Sequence, residues 1–202
     1  LRFDGVDLLP TVILFVGVLI QSSAEELACR VFMYQRLRGA YVRPAVALVG
    51  NPALFAVLHL MNNGVTALSV LNIFLVGLLF SMCVYYFDSF WMVAAIHTSW
   101  NFTQNILLGL PNSGNVVPFS IFKLEGAADS LAYNVGFGIE GTALACVVLV
   151  AACVCVYVVG QRVGRHAAGD AVRISTCEST DGQVAGELAD ECGQSSSGDE
   201  IG

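Results

Sequence analysis

Leu8–Leu37, reading LLPTVILFVGVLIQSSAEELACRVFMYQRL, is an apolar run long enough to cross a bilayer, interrupted only by the polar patch Gln21–Glu26 and by Arg30. A helix needs roughly 20 residues to traverse about 30 Å of hydrocarbon. An ionisable side chain at that depth costs about 2.5 kcal/mol or more, so Glu25, Glu26 and Arg30 require partners or a function. As a helix, the stretch sets Glu26 and Arg30 four residues apart on one face, acid before base, the favourable order. Pairing with Arg30 lets Glu26 stay ionised. Glu25 is turned about 100° from Glu26 and is expected to have no partner at helical spacing on its own segment, which leaves it as the acid/base group.

Four further apolar segments come after it, at about Pro44 to Met61, Val65 to Phe87, Phe90 to Leu110 and Gly138 to Gly160. Of 202 residues 56% are hydrophobic and only 12% charged, too little charge to cover a soluble domain. The expected fold is therefore all-α, a polytopic transmembrane helical bundle with about five spans. The transmembrane core is placed at 1–160 and a disordered acidic tail at 161–202, where Ser, Gly, Asp and Glu dominate. The net charge of −7 resides mainly in that tail and gives no reason to expect a nucleic-acid partner. Leu1 is not an initiator methionine, and the opening reads as the cut end of a longer chain. Arg36, Arg38 and Arg43 follow the first segment, while Arg162, Arg165 and Arg173 follow the fifth. Four crossings separate the clusters, so both are expected on the cytoplasmic side of a cell membrane, the C-terminal tail included. Five of the seven cysteines lie in apolar runs, with no zinc-ligand spacing, and read as small hydrophobes.

Two later segments add polar groups. Phe55 and His59 are four apart, so the ring can pack beside the imidazole. His97 and Asn101 are also four apart and can donate hydrogen bonds to one oxyanion. A glutamate with a histidine can hold and deprotonate a water, so the set contains a base, a water holder and oxyanion donors. On a straight helix from Pro44, His59 lies about 22 Å along the segment, deeper than His97 on its own. Asn51-Pro52 offers a restart, Asn51 as cap and Pro52 in the first turn, which would bring the two histidines level.

The motifs EExxxR (Glu25 to Arg30), FxxxH (Phe55 to His59) and HxxxN (His97 to Asn101), in this order on successive hydrophobic segments, resemble the CPBP family. That family joins type II CAAX prenyl proteases with bacteriocin-processing and immunity proteins. The resemblance covers about residues 8–110, and Asn62-Asn63-Gly64, Gly77 and Asp88-Ser89-Phe90-Trp91 also look family-like. It implies an intramembrane endopeptidase acting on a peptide or membrane-anchored protein, with a cavity open to the cytosol and surrounded by lipid. Carried over, Glu25 with His59 activates water, Glu26 and Arg30 support the site, and His97 with Asn101 stabilises the oxyanion; Phe55 supports. The family bears a metalloprotease label, and Glu25, His59 and His97 can ligate zinc. The same residues can hold a water directly, and no HExxH helix tips the choice. Two rival classes remain: a non-catalytic bacteriocin self-immunity or scaffold protein, and a proton-coupled transporter. A transporter should show repeat symmetry or paired broken helices, and the sequence has neither.

Overall fold

The computed structural model describes residues 2–125 and 128–163. The chain divides into two units, Leu1–Val158 and Val159–Gly202, and the site lies wholly within the first. The expected acidic tail lies outside the described residues from 164 onward.

Five helices form the described chain. Helix α1, Leu8–Ala40, is α-helical over Leu8–Glu26, wound as a π-helix over Leu27–Met33 and α-helical again over Tyr34–Ala40. Helix α2, Pro44–Leu58, starts with proline in its first turn, where the missing N–H costs nothing, and ends in a 3₁₀ turn, His59–Met61. Helix α3, Ala67–Phe87, opens on a reciprocal capping box between Thr66 and Ser69 and closes at Asp88, which takes a left-handed φ of 47°. Helix α4 runs α-helically over Phe90–Asn101, capped by Ser89, and turns π over Phe102–Leu107. Helix α5 is Ala143–Val163. A two-residue antiparallel ladder, β1 (Arg2–Phe3) on β2 (Phe122–Lys123), is the sheet of the described residues. There Lys123 and Arg2 flank Asp4 and hold its carboxyl below the usual carboxylate range.

The all-α bundle is as expected, but among the described residues four helices, not five, are long and apolar enough to cross a membrane: α1, Pro44–Met61, α3 and α5. The fourth segment does return the chain across the bundle. It begins beside the end of α3, and just past it Ser113 accepts through its carbonyl from Asn62 at the far end of α2 (2.9 Å). It falls short because His97, Thr98, Asn101, Gln104 and Asn105, all buried, replace apolar residues.

Burial is inverted relative to a water-soluble protein. Glu26, Arg30, Asn51, Asn72 and Ser81 are fully buried or nearly so, while Leu8, Ile13, Ile20, Phe32, Leu58 and Val147 are exposed. Lipid tails are as apolar as leucine, so exposure there costs nothing, and polar groups must find partners inside. Asn51 illustrates the rule. It does not cap a restarted helix, because α2 runs unbroken through Asn51 and Pro52; its amide instead donates to Ser81 Oγ on α3 at 2.9 Å. Ser81 passes the bond on to the Gly77 carbonyl at 2.9 Å.

At Gly77 α2 and α3 approach closely. A Cβ there would lie 3.2 Å from Pro52 Cα and 3.3 Å from the Phe55 ring. Arg30 locks the same junction from α1: its Nη2 reaches the Gly77 carbonyl at 3.4 Å, and its guanidinium lies over the rings of Phe55 (4.5 Å) and Phe80 (5.3 Å). Cation–ring contacts gain strength when desolvated, as here.

Loops gather over one end of the helices. In the Asn112–Asn115 turn the terminal residues exchange backbone bonds of 2.9 Å, with Ser113 and Gly114 both at positive φ, as a type I′ turn requires. Gly114 is needed twice over, since its φ is 82° and a Cβ would strike the Asn63 carbonyl.

Two stability measurements test this packing. Gly77→Val should destabilise the detergent-solubilised protein by about 1–3 kcal/mol through overpacking against α2, read as a fall in thermal midpoint. Arg30→Ala should cost more, on the order of 3–5 kcal/mol, because it strands the buried Glu26 carboxylate. An Arg30→Ala protein with a wild-type midpoint would show that Arg30 does not hold the helices.

Candidate active site

The arrangement starts from Glu26. It is fully buried, and its Oε1 accepts from Arg30 Nη1 at 3.1 Å and from His97 Nδ1 at 2.8 Å. An ion-paired carboxylate only accepts, so Nδ1 of His97 carries the proton and Nε2 is the free nitrogen. Nε2 lies 3.8 Å from Glu25 Oε2. The adjacent glutamates thus approach the same imidazole from its two nitrogens. The Phe80 ring stacks beside it at 5.6 Å, which fixes its plane further.

Glu25 differs from Glu26 in surroundings as well as direction. Its side chain keeps 33% exposure and lines a cavity of about 790 Å³. It does have a partner at helical spacing, contrary to the expectation from sequence. Gln21, one turn earlier, donates from Nε2 to Glu25 Oε1 at 3.2 Å. The turn before the EExxxR motif supplies a second support, Ser22, whose Oγ accepts from Asn101 Nδ2 at 3.2 Å. The first contact reflects the i−4 spacing of Gln21 to Glu25, which is legible in the sequence; the second joins two helices, with Ser22 one turn before Glu26.

His59 closes α2. Its Nδ1 donates to the Phe55 carbonyl at 2.8 Å, and the two rings pack at a tilt of 55° with centroids 4.5 Å apart. A carbonyl only accepts, so His59 Nε2 carries the lone pair. His59, His97, Asn101 and Glu25 all line the one cavity. The direct contacts join Glu25 to His97, and among the described residues no hydrogen bond or ion pair joins Glu25 to His59. Cys29 is buried beside Arg30 and also lines the cavity, in keeping with its reading as a small hydrophobe.

The residues fit a metal poorly. Among the described residues no three His, Cys, Asp or Glu side chains gather closely enough to hold an ion. Each histidine commits Nδ1, His59 to a carbonyl and His97 to Glu26, which leaves Nε2 open on both, so it is the spacing of the groups and not a lack of donors that disfavours an ion. The guanidinium of Arg30, paired to the same Glu26, adds fixed positive charge behind the site.

Sequence reasoning missed Glu140, which precedes α5 and lines the same cavity. Its carboxylate accepts from Trp100, Gln104 and Ser113. An acid at the head of an apolar run was the available signal.

Comparison with known proteins agrees with the motifs. No curated protein and no solved structure matches the chain. Residues 7–103 match a protein family described as type II CAAX prenyl endopeptidase, Rce1-like. The matched stretch holds Glu25, Glu26, Arg30, His59, His97 and Asn101, and ends two residues beyond the last of them. Over that stretch, and with its apolar helices, the chain is similar to the Rce1-like type II CAAX prenyl endopeptidases, a family of intramembrane proteases.

Proposed function

We propose that the protein hydrolyses a peptide bond of a membrane-associated peptide or protein, using a water activated by Glu25 with His59. One observation carries the reading: Glu25, His59, His97 and Asn101, from three separate helices, line a single cavity, while Glu26 and Arg30 stand behind them in the packed interior. Glu25 is partly exposed and can meet water; Glu26 is spent on Arg30 and His97.

In this reading the lone pair of His59 Nε2 and the Glu25 carboxylate hold the water. Its oxygen attacks the scissile carbonyl carbon while its proton passes to Glu25. The carbonyl π bond breaks and the negative charge moves to oxygen. Asn101 has one N–H left after Ser22 and donates it to that oxygen. With Nδ1–H given to Glu26, His97 donates from Nε2 only when it carries a second proton, with Glu25 and Glu26 beside it as counter-charges. Collapse of the tetrahedral centre breaks the C–N bond, and the proton held by Glu25 passes to the departing amine. No step runs through a metal, since the donors do not gather around a common point. We further read the arginine-bearing end of α1 as cytoplasmic, on the excess of arginine there.

Cleavage of an internally quenched peptide by the purified protein tests the reading. Glu25→Gln should abolish turnover with little change in thermal midpoint, since it keeps volume and removes the base. Asn101→Ala should lower kcat about 10²–10³-fold, the usual loss for one oxyanion donor. Full activity in Glu25→Gln would end the assignment of Glu25. Phenanthroline should leave most of the activity in place; activity lost on chelation and restored by stoichiometric zinc would replace the direct-water scheme with a metal-assisted one.

A further inference from the structure

Glu140 lies outside the residues that carry the family match, yet its carboxylate is bonded on every side. Oε1 accepts from Trp100 Nε1 at 2.8 Å and from Gln104 Nε2 at 3.3 Å; Oε2 accepts from the Ser113 backbone N–H at 2.9 Å and from Ser113 Oγ at 2.5 Å. Its own backbone carbonyl accepts from Asn72 on α3 at 2.8 Å. Among the described residues it has no cationic partner. Stereochemistry suits a carboxylate to this place, because it offers two oxygens that both accept, and each of the four groups bonded to it, from Trp100, Gln104 and Ser113, is a donor.

The bonds fall at a particular place on α4. Trp100 is three residues beyond His97 and adjacent to Asn101, and Gln104 is three beyond Asn101. Two bonds about one turn apart to a single fixed carboxylate resist rotation of the helix about its axis. Such a restraint is needed there, because α4 leaves regular α winding at Phe102, immediately after Asn101. A π segment changes the number of residues per turn and so the direction in which side chains emerge. One turn before Asn101, α4 is held through His97 by Glu26. Asn101 sits between the two restraints.

We propose that Glu140 is a positioning residue: it fixes the rotation of α4, and so the placement of Asn101 and His97, while fastening the Asn112–Asn115 turn to the same point. This role rests on the peptidase reading. Glu140 does not touch the reacting atoms in this scheme; it acts through Trp100 and Gln104.

The test uses the full chain in detergent, with an internally quenched peptide that the wild type cleaves. Glu140→Gln keeps the size but leaves one accepting oxygen and sets an NH₂ against donors; Glu140→Asp keeps the charge but is too short to reach both sides. Both should lose kcat about 10- to 100-fold, as expected for a misplaced catalytic group, with KM within about threefold of wild type. Ser113→Ala leaves the α4 side of the clamp intact and should lower the thermal midpoint with kcat near wild type. Adding Trp100→Phe to Glu140→Gln should cost little more, because both break the same link. A readout independent of turnover comes from NMR in a Trp91→Phe protein: Glu140→Gln should shift the Trp100 indole N–H and the His97 ring resonances, and Ser113→Ala should leave His97 in place.

Retention of activity in Glu140→Asp would replace the clamp with a purely electrostatic role and overturn the proposal. So would equal kcat losses in Glu140→Gln and Ser113→Ala, or His97 resonances unmoved in Glu140→Gln. If the wild-type protein cleaves no peptide, it is the peptidase reading that fails, and the positioning role of Glu140 stands or falls on the resonances.

Discussion

One oxygen atom, Glu26 Oε1, joins the bundle together. It accepts from Arg30 within α1 and from His97 on α4, and Arg30 in turn grips the Gly77 carbonyl of α3 and lies over Phe55 of α2. Four helices therefore meet around one buried charge pair. Such a pair is a poor source of stability in itself, since well-packed apolar side chains of similar volume often hold helices as well or better. What apolar side chains cannot supply is a carboxylate that chooses the protonated nitrogen of His97 and fixes the ring. The network is better understood as the means by which a helical bundle holds an imidazole in one tautomer and orientation at membrane depth.

The neighbouring glutamates show how environment divides labour between identical groups. Adjacent residues on a helix point about 100° apart, so one can face the interior and the other a cavity. Glu26 is sealed off and bound to two donors; Glu25 keeps a third of its side chain exposed and takes one bond from neutral Gln21. On the proposed function, the sealed group holds the frame, and the open group is the one that meets the water. Helix α1 leaves α winding at Leu27, inside its EExxxR motif, and α4 leaves it at Phe102, directly after HxxxN. A π segment widens the helix locally and redirects the turns beyond it. In each case it lets a polar, inward-facing turn be succeeded by residues that resume packing on a different line.

What could be read from sequence were the contacts within single helices. The Glu26–Arg30 pair, the Phe55–His59 contact and the inward grouping of His97 with Asn101 all rest on a four-residue spacing within one helix, and apolar surroundings made each polar residue conspicuous. The same spacing joins Gln21 to Glu25, but polar uncharged residues in a membrane segment carry a weaker signal than charged ones. Contacts that depend on loops were not readable. Nothing in the order of residues places Ser113, Trp100 and Glu140 together, since two turns and a segment of over twenty residues intervene. Asn51-Pro52 misled for a related reason. The dipeptide has the form of a helix start, yet the tertiary partner Ser81 takes the Asn51 amide, and Gly77 leaves room for Pro52 to lie inside a continuous helix. The fourth segment was counted as a span because it is long, although its buried amides and histidine serve the site at the expense of hydropathy.

The cavity also bears on how a peptide bond becomes available within a bilayer. A transmembrane substrate satisfies its backbone groups within its own helix, and opening that helix in hydrocarbon would leave N–H and C=O groups without partners. Attack on a carbonyl needs an extended, accessible backbone, so a protease working there must supply substitutes for the lost bonds. This cavity is lined by apolar side chains such as Val76, Leu79, Val148 and Leu149, and also by Asn62, Asn72, Asn105, Asn112 and Asn115. Carboxamides both donate and accept, and can therefore pair with either backbone group of an unwound strand. Several of them are already tied to the loops, Asn62 to Ser113 and Asn105 to the Val117 N–H. Their positions are thus set before a substrate arrives. On the proposed function, this asparagine-bearing lining allows a strand to leave its helix, while Glu25 and His59 provide the water that a lipid-facing surface would exclude.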